Sequence, residues 1–337
     1  MKPSELKNLL KVALKNNAPV LITGAPGVGK TDIVTQVTKE LNYHLILSHP
    51  VVSDPTDYKG MPWVTVQDGK PKAWFVPFSD LEELIEAKKE TVFFLDDLGQ
   101  ANTAVQAACM QLLLARRING HKVSDKVTFI AATNRREDLA GVTGLLEPVK
   151  SRFWAIIELK TDLEDWIKWA IENDMPIELI AFIRFRPEML GGFRPSRDLV
   201  NSPSPRTIAN VGKWIKGGIP ESIKFETFAG AAGEGFASEF VSFIELFKKI
   251  PDVDEVINNP TKGNIPSEVS ILYALCSAIA QRANEKNIAN IITYIDRIPQ
   301  KEFAIMTLRD SLTRNNNLAK TKAFIDWASK NAKFFIQ

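Results

Sequence analysis

The sequence predicts an α/β protein: a three-layer α/β/α sandwich on a five-stranded parallel sheet over residues 1–160, then an all-helical remainder. Two observations carry that prediction. Five short apolar runs alternate with helix-patterned stretches as far as Lys160, and after it the strand signals stop. A glycine-rich loop also stands between the first apolar run and the helical pattern behind it.

Taken in order, Leu6, Leu9, Leu10, Ala13 and Leu14 share one face of a helix over residues 3–16, with Ser4 as its N-cap. Val20-Leu21-Ile22-Thr23 is the first strand. Leu45-Ile46-Leu47-Ser48 reads as a second, buried strand running into the Pro- and Asp-rich loop His49–Gly60. Trp63–Val76 alternates around Asp68-Gly69, a hairpin signal. A short helix is expected from Asp80 to Lys89, with Leu81, Leu84 and Ile85 inward. Thr91-Val92-Phe93-Phe94-Leu95 is a continuous apolar run, the pattern of a parallel strand covered on both faces. A helix over Thr103–Ala115 and a second hairpin signal at Asn119-Gly120 follow, then a buried strand at Val127–Ala132 and a fifth strand at Trp154–Leu159. Beyond these, helices are expected at Leu163–Asn173, Ile177–Phe185, Arg206–Ile215, Ala229–Ile250 and Leu318–Phe335. A Pro/Gly-rich connection occupies Arg186–Pro205, and Asn258-Asn259-Pro260 marks a boundary, so the expected domains are 1–160, 161–258 and 259–337.

Composition excludes more than it identifies. A chain of 337 residues with 45% apolar and 24% charged residues is an ordinary globular protein, long enough for two or three domains. Its 42 basic and 40 acidic side chains nearly cancel, so no global field marks a nucleic-acid or membrane-surface binder. Cys109 and Cys276 sit in no C-x-x-C context, and His44, His49 and His121 show no ligand spacing, so neither a disulfide framework nor a zinc site is indicated. Charges throughout Met1–Leu14 exclude a secretory core, and no apolar run approaches the length of a membrane span. A cytoplasmic setting is the expectation.

The chemistry begins at Gly24-Ala25-Pro26-Gly27-Val28-Gly29-Lys30-Thr31, which fits G-x-x-x-x-G-K-[ST], with Asp32 opening the helical pattern up to Leu41. In this P-loop the glycines let consecutive N–H groups converge on a phosphate, and the helix N-terminus adds partial positive charge. Lys30 would reach the β- and γ-phosphates and Thr31 would ligate Mg²⁺. The bare pattern arises by chance in roughly one chain of this length in a hundred. Residues 24–32 are therefore the expected contacts to ATP.

Four features join the P-loop. Asp96 and Asp97 end a buried strand, in a Walker B pattern. Asp96 is placed to hold Mg²⁺, and Asp97 to polarise the attacking water. Asn134, at the tip of the next strand, can orient that water. Arg152, just before the fifth strand, can neutralise charge on the transferring phosphoryl group, in a neighbouring subunit. Ser204 and Pro205 start a helix in which Arg206 opposes the helix dipole, a conflict that a phosphate would relieve.

These stretches resemble the MoxR-like AAA+ ATPases, through GAPGVGKT (24–31), SDPTDYKGMP (53–62), VFFLDDLGQAN (92–102), LLLARRINGHKV (112–123), AATN (131–134), SRF (151–153) and SPRTIANV (204–211). The resemblance covers about residues 15–215. It implies that Asn134 is sensor 1, Arg152 the arginine finger and Arg206 the sensor-2 arginine of a helical lid. It makes the two hairpins the insertions that face the ring pore or partner. It further implies a hexameric ring that remodels or activates a client or adaptor, with a von Willebrand factor A-domain protein as the partner class. Two departures stand out. Asp97 replaces the family's usual Glu, one methylene shorter, and Gly99-Gln100 replaces its usual Asn-Arg. Asp97 thus keeps a nucleotide-gated scaffold with slow hydrolysis as one alternative.

Other residues carry two readings each. Arg184, Arg186, Arg194 and Arg197 lie among Phe182, Phe185 and Phe193, an interleaving that suits single-stranded nucleic acid and a motor or loader. The favoured reading of that cluster is a lid hinge with solvated or phosphate-adjacent arginines. Trp63, Trp74 and Phe75 read equally as a substrate grip and as cross-strand packing. Lys320, Lys322, Lys330 and Lys333 read as the wet face of the last helix.

Overall fold

A computed structural model describes residues 1–138, 141, 144–196 and 198–331. Arg197, Lys333 and the expected helix end at Phe335 lie outside the described residues. The chain forms two compact units, Met1–Thr161 with Phe193–Arg197, and Asp162–Gly192 with Asp198–Gln337.

The first unit runs α1 (Pro3–Lys15), β1 (Val20–Thr23), α2 (Lys30–Glu40), β2 (His44–Ser48), α3 (Pro55–Lys59), β3 (Met61–Gln67), β4 (Lys70–Val76), α4 (Ser79–Glu86), β5 (Thr91–Leu95), α5 (Thr103–Ala115), β6 (Arg117–Ile118), β7 (His121–Lys122), β8 (Val127–Thr133), α6 (Glu147–Lys150) and β9 (Ala155–Glu158). Five strands form one sheet in the order β2-β5-β8-β1-β9, all parallel. Alternation along the strands divides the core in two. Val20, Ile22, Val92, Phe94, Ile130 and Ala132 pack with Leu6, Leu10, Ile33 and Val37 of α1 and α2. Leu21, Phe93, Leu95, Phe129 and Ala131 face the opposite way, onto Tyr58, Leu81, Leu84 and Val105 of α3, α4 and α5. Helices on both faces leave no wet side to the central strands, which explains their unbroken apolar runs. The expectation of a buried second strand is corrected: β2 is a sheet edge, where Leu47 is exposed. An edge strand needs only half the cover of a central one.

The second unit is helical: α7 (Leu163–Glu172), α8 (Ile177–Phe185), α9 (Pro205–Lys216), α10 (Lys224–Ala232), α11 (Glu234–Phe247), α12 (Val253–Asn258), α13 (Val269–Arg282), α14 (Ile288–Ile295), α15 (Lys301–Arg314) and α16 (Lys322–Lys330). Phe182 sits at the centre of one core cluster, its ring 5.1–5.5 Å from those of Phe236, Phe240 and Phe243. A second cluster gathers Leu275, Ile279, Ile291, Tyr294, Phe303 and Trp327. The single helix expected at 229–250 is two, because Gly233 adopts φ +92° and a Cβ there would lie 2.8 Å from the Asn201 carbonyl oxygen. The last helix starts at Lys322 rather than Leu318, because Thr321 caps it by accepting from the Phe324 N–H.

Candidate functional site at the C-terminal edge of the sheet

Sheet order builds the site. Strands β5, β8 and β1 are neighbours, so whatever follows Leu95, Thr133 and Thr23 meets at one edge. Gly24 leaves β1 at φ +157°, and a Cβ on it would stand 2.8 Å from the Leu159 carbonyl oxygen, so only glycine turns the chain there. Lys30, buried at the start of α2, donates to the carbonyl oxygens of Gly24 (2.9 Å) and Ala25 (3.1 Å) and to Asn134 Oδ1 (2.7 Å). Thr31 Oγ1 donates to Asp96 Oδ2 at 2.6 Å, and Asp96 Oδ1 accepts the Asp97 N–H at 3.1 Å. Asn134 Nδ2 donates to Asp97 Oδ1 at 3.2 Å. Four side chains predicted from three motifs (Lys30, Asp96 with Asp97, and Asn134) thus form one bonded constellation with Thr31.

The donor set suits the groups that the sequence implies. A Thr hydroxyl beside a carboxylate is hard-oxygen ligation of the kind Mg²⁺ takes together with waters and phosphates. Lys30, bonded to carbonyls and one amide oxygen in this cluster, is a buried cation poised for a phosphate. Asp97 adopts φ +58°, ψ +33°, a left-handed conformation that Asp tolerates better than most residues.

Arg152 stands elsewhere. It precedes β9, and Trp154 N–H bonds the Pro19 carbonyl oxygen at 2.8 Å, so it lies at the N-terminal edge of the sheet. A strand of four residues at about 3.3 Å each separates that edge from the P-loop of the same unit. Its Nη1 donates to Ser151 Oγ at 3.0 Å, while its buried Nε has no partner among the described residues. Arg206 is exposed on the first turn of α9, in the second unit, whose N-cap Ser204 accepts the Thr207 N–H.

The arginine cluster is not uniform: Arg194 is exposed, as the hinge reading expects. Arg184 is buried rather than solvated, donating to Asp310 Oδ1 at 2.5 Å and Glu164 Oε1 at 3.0 Å. Burial opposes the Arg184 charge, but Asp310 and Glu164 outweigh it and hold the guanidinium protonated. Arg186 pairs with Glu188 and Glu239. Phe182 and Phe185 belong to the core rather than to a stacking platform. In the first hairpin Trp63 lies opposite Trp74, and both are exposed, at 61% and 48%. The two hairpins are bonded together: Asn119 Nδ2 donates to the Lys59 carbonyl oxygen (2.8 Å), and His121 Nε2 to that of Phe75 (2.7 Å).

Sequence reading missed a ring of residues around the site. Arg135 grips Asp138, and Asp138 lies i+3 from it just past a strand tip, a spacing that is visible in sequence. Ser48 Oγ and Tyr58 OH share a hydrogen bond of 2.9 Å, while the Ser48 carbonyl accepts the Asp96 N–H at 2.9 Å. Desolvation pushes the Tyr58 phenol up to about 12. No periodicity marks that contact.

Residues 20–160 match the model of the ATPase family associated with various cellular activities (AAA). Over 202 residues the chain is 28% identical to the midasin of Giardia intestinalis, which amounts to 54% of this chain and 4% of that relative. It therefore spans a small fraction of midasin's length. Among solved structures it is similar to a RuvB mutant from Thermotoga maritima, with TM-score 0.43, 18% identity and 82% of each chain covered. It is also similar to a putative ATPase from Cytophaga hutchinsonii, with TM-score 0.35, 14% identity, and 90% of this chain and 79% of that one covered. The family match is confined to the stretch 20–160, within the unit that carries the parallel sheet. Among the described residues, no helix is long and apolar enough to cross a membrane.

Proposed function

We propose that this protein hydrolyses ATP with Mg²⁺ in a homo-oligomer, and that it uses the cycle to remodel or activate a partner protein in the MoxR manner. The observation that carries the reading is the bonded constellation Lys30–Asn134–Asp97 beside Thr31–Asp96. The P-loop amides and Lys30 bind and orient the triphosphate, and Thr31 and Asp96 hold Mg²⁺. Bound Mg²⁺ supplies charge neutralisation across the β- and γ-phosphates. When Lys30 turns to the phosphates, Asn134 Oδ1 loses its partner and its amide is free to hold a water against Asp97, which draws the proton. Arg152, a strand's length from its own P-loop, serves a neighbour's site, and Arg206 contacts the γ-phosphate as the sensor-2 arginine of the lid.

In this reading residues 161–258 are the lid and the helices that follow it, 259–337 a helical C-terminal region, and the ring is a hexamer in the cytoplasm. The joined hairpins, with their exposed Trp63 and Trp74, face a client or an adaptor such as a von Willebrand factor A-domain protein. The buried, ion-paired Arg184 and the core positions of Phe182 and Phe185 weigh against a nucleic-acid motor, although Arg194 of the same cluster is exposed. The test is ATPase rate per subunit against protein concentration, for wild type and Arg152→Ala. A rate that rises with concentration and collapses in the variant is expected. Turnover that is independent of concentration and survives the substitution would refute the shared site. ATP binding without turnover in the wild type would put the nucleotide-gated scaffold first.

A further inference from the structure

We propose that Arg135 and Asp138 are positioning residues for hydrolysis, setting the peptide plane that aims Asn134 at its water. This rests on the reading of Asn134 given above. Asn134 stands one residue past the end of β8. The peptide joining Asn134 to Arg135 is held at both ends: Thr133 Oγ1 donates to the Asn134 carbonyl oxygen at 3.2 Å, and Asp138 Oδ2 accepts the Arg135 N–H at 3.0 Å. That peptide restrains ψ of Asn134, on which the allowed rotamers of its amide side chain depend.

Asp138 is itself held. The Arg135 guanidinium reaches back to the same carboxylate through Nε (3.1 Å to Oδ2) and Nη2 (2.7 Å to Oδ1). This bidentate pair has defined geometry, and the Asp138 side chain is 2% exposed. The Asp138 hydrogen bonds, followed by the surrounding carboxylates, hold the Arg135 charge more firmly than usual. The remaining arm, Nη1, reaches Glu158 Oε1 at 3.3 Å. Register gives that contact its meaning. Thr133 of β8 and Glu158 of β9 flank Thr23 of β1 on opposite sides. Arg135 therefore ties the tips of β8 and β9 across the point where the P-loop leaves the sheet.

The side-chain bonds of Asn134, to Lys30 and Asp97, are those that change when nucleotide enters. The Arg135–Asp138 clamp uses neither partner, so it keeps the Asn134 backbone in place through the cycle. A displacement of about 1 Å at such a residue can cost on the order of a hundredfold in rate.

The experiment compares Asp138→Ala, Asp138→Asn, Asn134→Ala and the double variant Asn134→Ala/Asp138→Ala. It measures kcat at saturating ATP and Mg²⁺, affinity for a fluorescent ATP analogue, and Tm. Asp138→Ala should lower kcat at least tenfold and leave nucleotide affinity within about twofold, and Asp138→Asn, which keeps an acceptor for the Arg135 N–H, should recover most of the loss. On the Asn134→Ala background, Asp138→Ala should do nothing further to kcat. Losses that multiply in the double variant, a matching fall in affinity, or an Asn variant no better than Ala would overturn the clamp while leaving Asn134 in its role. An Asn134→Ala enzyme of wild-type kcat would instead overturn the role of Asn134, and the clamp with it. Should Asp138→Ala fail to fold, Arg135→Lys, which preserves a cation beside the buried carboxylate, takes its place in the same cycle, and the same losses support or overturn the clamp.

Discussion

Asp97 stands where the family that the sequence resembles usually has Glu, and the effect of that difference can be weighed in rate. Its carboxylate accepts from Asn134 at 3.2 Å, and its backbone is left-handed at φ +58°. Asp97→Asn keeps the size and removes the base. General-base catalysis is worth about 10²–10⁴-fold, or roughly 2.7–5.4 kcal/mol at 1.36 kcal/mol per tenfold. Single-turnover hydrolysis of radiolabelled ATP, with a separate binding titration, reads that loss independently of affinity, which should hold. Asp97→Glu restores the family's usual residue but should not speed the enzyme. The added methylene carries the carboxyl about 1.5 Å further, and Glu adopts left-handed backbone less readily than Asp. A rate roughly ten- to a hundredfold below wild type is expected, above that of Asp97→Asn. An Asn variant within about fivefold of wild type, or a Glu variant faster than wild type, would refute the assignment of Asp97 as the base held at working distance.

Further outcomes follow from the buried groups. In the second unit the Arg184 and Asp310 side chains are 6% and 4% exposed. Asp310→Ala should therefore cost about 3–5 kcal/mol in urea unfolding, and the apolar pair Arg184→Met/Asp310→Leu should recover most of it. If Asp310→Ala costs less than about 1 kcal/mol, the ion pair is not what joins α8 to α15. Burial also pushes both thiols up, Cys276 to about 12 and Cys109 further. The reactive species is the thiolate, so at pH 8 a group at about 12 is ionised to only about one part in ten thousand. Neither thiol should react with a disulfide reagent in the native protein at pH 8, and both should react in denaturant; rapid native labelling would refute their burial.

What was legible in the sequence was local. GAPGVGKT announces its own loop, and Phe93–Leu95 announces a covered strand, because a backbone turn and a two-sided burial leave their mark on consecutive residues. Asp96, Asp97 and Asn134 could be named from the ends of apolar runs, since a parallel sheet collects those ends at one edge. Identity of the edges was not legible. β2 and β5 both read as apolar runs, and only the order β2-β5-β8-β1-β9 shows that one borders solvent. The break at Gly233 was missed for a related reason: what forbids a side chain there is the Asn201 carbonyl, which lies outside the helical pattern.

Charged residues show the limit most sharply, because a charge is surface by default until its partner is known. Arg184 lies 126 residues from Asp310 in sequence, and a lone arginine among phenylalanines looks like a binding platform when that partner is out of view. Arg135 shows the opposite failure. Its partner is three residues away, yet Arg135-Arg136-Glu137-Asp138 reads as an ordinary wet turn, and only the burial of Asp138 separates the gripping arginine from its neighbour. The same reasoning explains why the catalytic constellation was easier to name than its supports. In the proposed roles Lys30 meets a phosphate, Asp96 the metal and Asn134 the attacking water, so their types are constrained one by one. A support must satisfy only another side chain, and many pairs of residues can do that. Variants at Arg135 and Asp138 should therefore be tolerated when exchanged as a pair that keeps an acceptor on the Arg135 N–H, whereas no exchange elsewhere should replace Lys30 or Asp96.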